Sequence, residues 1–165
     1  MIAVQETPEE TVRRYADMLY RVALSHTGNR YDAEEAFQEA FLAYFRKNPE
    51  CRDEEHRKAW LLRTVIVCSR RIRAKAHAHE ALPLEEAIGE TDPVLPEEEA
   101  VWSALLSLPE KYRVPLQLFF VEEMSGAEIA AALGLREAAV RKRISRGKEK
   151  LRALLKGEER IERSL

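Results

Sequence analysis

The residues best equipped for chemistry crowd toward the C-terminus, where Arg141, Lys142, Arg143, Arg146, Lys148, Lys150 and Arg152 stand between Val140, Ile144, Leu151 and Leu155. Guanidinium and ammonium groups neutralise phosphates and donate to base edges, while apolar residues recurring at helical spacing form a seam against a core. At about 100° per residue, Lys142 and Arg146 project opposite the Val140/Ile144 stripe, and Arg141 and Arg143 flank them. Ala138 and Ala139 keep the early part of this helix slim. Gly147 lies near the apolar stripe, where it suits close helix packing although it costs roughly 1 kcal/mol against Ala. A charge run by itself is usually a solvated face. What precedes it makes the difference. Ser125-x-x-Glu128 is a capping box, a short apolar helix follows from Ile129 to Leu133, and Gly134 sits where a left-handed residue ends it. Short capped helix, glycine turn and long basic helix together predict a helix-turn-helix, whose second helix enters a major groove.

Other chemistries lack their parts. The chain has no Gly-rich phosphate loop, no nucleophile beside a base and no metal cluster, so no enzyme, cofactor or metal is expected. Glu34-Glu35 and Glu97-Glu98-Glu99 place carboxylates side by side, but neighbours on a helix point apart. Cys51 and Cys68 have no Cys or His partner at zinc spacing, and His77 and His79 diverge on a helix, so free thiols in a reducing cytoplasm are expected. With 29 acidic and 27 basic residues in 165, the molecule is not a general polycation; the uneven placement of charge carries the signal. No apolar run reaches bilayer length and the N-terminus lacks the form of a signal peptide, which predicts a soluble cytoplasmic protein.

The elements that must position the basic helix are all helical. Alternating strand patterns and hairpin turns are missing, so the expected fold is all-α: two small helical domains joined by an acidic flexible linker, the second a helix-turn-helix. A first helix starts near Pro8 and presents Val12, Tyr15, Ala16, Leu19, Val22 and Ala23 before Gly28-Asn29. Asp32, with Glu35 as box partner, is expected to cap a second helix whose stripe is Ala36, Phe37, Ala40, Phe41, Tyr44 and Phe45. Its other face carries Glu34, Gln38 and Glu39, which no core requires. A long third helix, about Glu54 to His77, buries Trp60, Leu61, Val65, Cys68 and Ile72. From its middle onward it carries Arg63, Arg70, Arg71, Arg73 and Lys75. The helix dipole accounts for Arg73 and Lys75 but hardly for the rest, so a surface aimed at nucleic acid competes with it.

Composition then changes. Between 78 and 95, Glu80, Glu85, Glu86, Glu90 and Asp92 meet no Lys or Arg, and Pro83, Gly89 and Pro93 punctuate the run, as in a linker. Residues 1–77 and 96–165 are the expected domains. The second opens at Pro96 and continues through Val101, Trp102, Leu105 and Leu106. Pro109 ends that helix and opens the next, Glu110 to Glu122, with a bend expected at Pro115. Leu116, Leu118, Phe119, Phe120 and Val121 are its expected core.

Several of these residues carry a resemblance. Leu108-Pro109-Glu110-Lys111-Tyr112-Arg113, Glu128-Ile129-Ala130, Leu133-Gly134, Val140-Arg141, Arg143-Ile144 and Arg146 resemble the C-terminal DNA-binding region of bacterial sigma factors. Gly28-Asn29-x-x-Asp32-Ala33-Glu34-Glu35-x-x-Gln38-Glu39-x-Phe41 resembles the polymerase-binding helix of that family, and Trp60-Leu61-Leu62-Arg63 opens what resembles its promoter-melting helix. Two such regions and one linker resemble the small extracytoplasmic-function group.

The resemblance implies docking on RNA polymerase core enzyme through Asp32, Glu35, Gln38, Glu39 and Leu42. It implies that the third helix, with Arg63, Arg70, Arg71 and Arg73, opens and reads the −10 promoter element. It also implies that Arg136, Glu137, Arg141 and Lys142 lie nearest the bases of the −35 element, while Arg143, Arg146, Lys111 and Arg113 serve phosphates. An anti-sigma factor is a partner of many relatives. The chain departs from the family at Val67 and Arg71, where Asn and Asp are usual, and at Arg136, where the recognition helix usually has a Ser or Thr cap. The alternative is a plain helix-turn-helix regulator that binds DNA without docking on polymerase; the polar face of the second helix, unlike a dimer seam, argues against it.

Overall fold

A computed structural model describes residues 6–78 and 96–164. The chain divides into two compact units, at Leu82–Pro83, and every regular element among the described residues is helical. The expected acidic linker lies, apart from Ala78, outside the described residues.

The first unit is three mutually packed helices, α1 (Pro8–Thr27), α2 (Arg30–Lys47) and α3 (Glu54–Ala78). Thr7 and Glu10 form a capping box at the start of α1, and Gly28 ends it at φ 80. The cap of α2 differs from expectation. Asn29, not Asp32, is the N-cap: its Oδ1 accepts the Asp32 N–H at 2.8 Å, and its Nδ2 donates to Asp32 Oδ2 at 2.9 Å. Asp32 is thus the third helical residue, and Glu35 is free of capping duty. Leu19, Val22, Ala23, Ala33, Ala36, Ala40, Leu61 and Val65 are fully buried. Alanine at three successive turns of α2 lets α1 and α3 approach its axis closely. Phe45, expected in the stripe, is 46% exposed instead, while its neighbour Tyr44 is buried; one residue on, about 100° around the helix, Phe45 turns off the core face.

The N-terminal ends of α1 and α3 are joined by polar groups. The Tyr15 hydroxyl donates to Glu54 Oε2 at 2.7 Å, Arg14 reaches the same oxygen at 2.9 Å, and Arg57 pairs with the other one. Glu6 joins both arginines, at 3.3 Å and 3.1 Å. The Tyr15 hydrogen bond, helped by Arg57 and Arg14, holds the Glu54 carboxyl below its ordinary value. Burial, then the same bond, pushes Tyr15 up to about 12.

The second unit comprises α4 (Pro96–Ser107), α5 (Glu110–Leu116), α6 (Gly126–Leu133) and α7 (Glu137–Ser164). The single helix expected from Glu110 to Glu122 stops being α-helical at Leu116. Pro115 lacks an N–H and crowds the preceding turn. Gln117–Val121 then forms a wide π turn, closed by the Glu122 N–H on the Gln117 carbonyl at 3.2 Å. A wide turn adds about one residue and so shifts helical phase by about 100°. Leu116 and Leu118 remain buried, but Phe119, Phe120 and Val121 are 36%, 51% and 39% exposed. Their expected place in the core is therefore corrected: the phase shift turns them outward.

Candidate nucleic-acid and docking surfaces

The helix-turn-helix is fixed at each corner by local chemistry. Ser125 Oγ accepts the Glu128 N–H at 3.1 Å, and Glu128 Oε1 accepts the Ser125 N–H at 3.2 Å, closing the predicted box on α6. Gly134 ends α6 at φ +67, where a side chain would be strained. Only Leu135 and Arg136 separate it from α7. The Arg136 carbonyl accepts the Val140 N–H at 3.1 Å, so Arg136 occupies the cap position without a capping side chain.

Behind α7, Val140 is fully buried and Ile144 is 7% exposed, sealing it to the unit. Leu151 and Leu155, farther along, are half-buried. Gly147 allows the closest approach: a Cβ there would lie 2.8 Å from Leu116 Cδ1, 3.1 Å from its Cγ and 3.3 Å from Tyr112 Cβ. The outward face is the predicted one. Arg136, Glu137, Arg141, Lys142 and Arg146 are exposed and Arg143 is half-buried. Glu137 stands 4.0 Å from Arg141, one turn apart.

More cations border this face. Lys111 and Lys150 lie 5.0 Å and 5.5 Å from the Tyr112 ring centroid. Burial would raise the Tyr112 hydroxyl, but Lys111, Lys150 and Arg146 outweigh it and hold the group below its ordinary value. Lys148 lies 5.8 Å from the ring of Phe119 and 5.1 Å from that of Phe120, two rings packed edge to face. Sequence reasoning put this pair in the core; the only signal for its exposure was Pro115, which forecast an irregular helix but not its phase.

Arg113 does not belong to the phosphate set that the sequence suggested. Its side chain points inward, the residue is 7% exposed, and Nη1 donates to the carbonyls of Leu106 and Leu108 at 3.2 Å and 3.3 Å. Those carbonyls lie at the C-terminus of α4, where helical partners run out, and a buried cation there satisfies them.

In the first unit, Arg63, Arg70 and Arg71 are exposed along α3, and so is Val67, at 58%. Arg73 is half-buried, with Nη1 donating to the His26 carbonyl at 2.9 Å, which ties α3 to the end of α1. On α2, Glu35 and Gln38 are exposed, Leu42 is 51% exposed, and Glu39 is half-buried.

The structure brings parts of the two predicted sets together. A groove of about 620 Å³ runs between α2 and α3, with Glu39, Leu42 and Ala43 on one wall and Arg63, Val67 and Arg71 on the other. Arg46, Lys47, Thr64 and Cys68 complete its lining. Arg46 and Lys47 were missed in the sequence; Arg46 stands one turn after Leu42, which was the available signal. Arg71 Nη2 lies 3.6 Å from Glu39 Oε2 and donates to Cys68 Sγ at 3.6 Å. Burial pushes the Cys68 thiol up. Among the described residues no group of His, Cys, Asp and Glu could hold a metal, and no helix is long and apolar enough to cross a membrane.

Comparisons with known proteins agree with this layout. Residues 11–77 match the family model for sigma-70 region 2, and residues 98–151 match that for sigma-70, region 4. The chain is 34% identical over 158 residues to the ECF RNA polymerase sigma factor SigE of Mycolicibacterium smegmatis, covering 89% of this chain and 61% of that protein. It is 31% identical over 150 residues to the ECF RNA polymerase sigma factor SigM of Mycobacterium tuberculosis, covering 89% of this chain and 76% of the relative. Among solved structures, the sigma factor RpoE of Bartonella quintana, in complex with the anti-sigma factor NepR, shares the fold with a TM-score of 0.69 at 20% identity. That likeness covers 90% of this chain and 96% of the other.

Proposed function

Since the chain belongs to the ECF sigma factors of the sigma-70 family, we propose that it binds RNA polymerase core enzyme and directs it to specific promoters. The observation that carries this is α7: a helix sealed to its unit by Val140, Ile144 and Gly147 while Lys142 and Arg146 face outward beside Arg141. A major groove admits one such helix. Side chains near its N-terminus reach base edges and the remaining cations neutralise phosphate. Arg136, Glu137, Arg141 and Lys142 are assigned to bases of the −35 element, and Arg143, Arg146 and Lys111 to phosphates.

The first unit supplies the rest. Glu35, Gln38, Glu39 and Leu42 dock on polymerase, with Asp32 holding the start of α2 in place, while Arg63, Arg70 and Arg71 meet the −10 strand. Arg73 contributes by fixing α3 against α1. The division of labour follows residues 1–77 and 96–165, with 78–95 connecting them. The activity is selection of a start site in the cytoplasm rather than a reaction of the chain's own.

Run-off transcription from a promoter library, with purified core polymerase plus or minus the protein, tests this directly. Protein-dependent starts sharing an upstream motif are expected. In that assay Arg141→Ala and Lys142→Ala flatten sequence preference at single positions, at about 1–3 kcal/mol for each lost base contact. Arg146→Ala lowers all promoters alike and reduces the salt slope by roughly one unit. No dependent start from any promoter would refute the function. Unchanged promoter choice in the α7 variants would refute the assignment of that helix.

A further inference from the structure

Across the groove of the first unit, the structure pairs two residues to which the proposed function gives different partners. Glu39 belongs to the polymerase-docking face, Arg71 to the promoter-facing helix, and their charged groups are 3.6 Å apart. Glu39 Oε2 is covered from solvent, and the Arg71 guanidinium, 3.6 Å away, is the charge that compensates it. Arg71 is held from a second side by the Cys68 sulfur, itself buried in the groove floor.

We propose that the Glu39–Arg71 pair couples polymerase docking to promoter engagement. In the free chain each side chain occupies the other. The docking face is acidic, with Glu35 and Glu39 presented together, so the polymerase group that fits it is cationic. When that cation takes up Glu39, Arg71 is released to a backbone phosphate of the promoter strand. Both side chains are more than a third exposed, so the pair is weak enough to exchange partners readily. Arg71 is therefore a positioning residue for Glu39 in the free chain and a DNA contact only after docking.

This inference rests on the proposed function, and its test reads a different quantity. A fluorescein-labelled single-stranded oligonucleotide, carrying a promoter −10 region, is titrated with the full chain at low salt and followed by anisotropy. Glu39→Gln, which keeps the shape of the side chain and removes its charge, binds about two- to fivefold more tightly than the parent, the range expected for an exposed ion pair. Arg71→Gln in the same chain abolishes that gain, so the double variant binds like Arg71→Gln alone. Glu34→Gln, an exposed acid on the same helix outside the groove, gives no gain. The proposal is overturned if Glu39→Gln does not bind more tightly, if its gain survives Arg71→Gln, or if Glu34→Gln matches it. Circular dichroism of each variant verifies that the helices are retained. A parallel pull-down of core polymerase by the parent chain separates the two failures: loss there removes the function, while the oligonucleotide series decides the pair.

Discussion

Gly147 offers the sharpest test of how α7 is seated. Replacing it with alanine places a Cβ 2.8 Å from Leu116 Cδ1 and 3.1 Å from its Cγ, and Leu116 is itself 1% exposed with nowhere to retreat. Two effects oppose. Helix propensity favours Ala over Gly by about 1 kcal/mol, and forcing a methyl into a packed contact costs about 1–3 kcal/mol. The net is a destabilisation of about 0–2 kcal/mol. Gly157 supplies the control within the same helix, because a Cβ there meets nothing within 4 Å. Gly157→Ala therefore gains up to about 1 kcal/mol. The two variants differ by the overpacking alone, about 1–3 kcal/mol.

The chain has two tryptophans, one in each unit, so Trp60→Phe leaves Trp102 on α4 to report unfolding of the second unit. Urea titration of both glycine variants in that background gives the difference. If Gly147→Ala proves as stable as Gly157→Ala, the close approach of α7 to α5 is not what holds the recognition helix.

Arg113 and Lys111 should separate structure from binding. Arg113→Met strands the Leu106 and Leu108 carbonyls and destabilises the second unit by about 1–3 kcal/mol without changing the salt slope of promoter binding; Lys111→Ala lowers that slope by roughly one unit and leaves urea stability nearly unchanged. Glu54 predicts a pH dependence. Its carboxyl is held below the ordinary 4.5 in the fold, so the stabilisation is present above that value and is lost as pH falls through the depressed one. Glu54→Gln should flatten this acid limb, followed by Trp60 fluorescence with Trp102→Phe, while a limb unchanged in the variant would assign it to other carboxylates.

Helix existence was legible because it depends on local periods and stop signals: Pro8, Gly28, the Ser125–Glu128 box and Gly134 all act within a few residues of themselves. The close approach at Gly147 was legible for the same reason, a glycine set on an apolar stripe. What was not legible required knowing phase or partners. Asn29 and Asp32 are both good caps, and the choice between them turns on where Gly28 leaves the chain. Phe119 and Phe120 look like core because hydrophobicity is all that sequence shows, whereas their exposure is set by a wide turn. Arg113 looks like its basic neighbours, yet it is drawn inward by carbonyls five and seven residues away. The groove between α2 and α3 joins residues some thirty positions apart, and neither helix alone announces it.

The wide turn at Gln117–Val121 also determines what a one-residue change in chain length would do here. A π turn is an α-helix that has absorbed one residue beyond its regular repeat. On one side of it, Leu116 must meet Gly147; within it, Leu118 must enter the core; on the other side, Glu122 must lead into the Ser125 box. The surplus residue acts as a phase corrector between those two demands. A one-residue deletion there would leave a longer regular helix, not a broken one, and the change would fall on which side chains face outward. Removing one residue at this point would therefore redraw the aromatic surface of the second unit, where Phe119 and Phe120 now face outward.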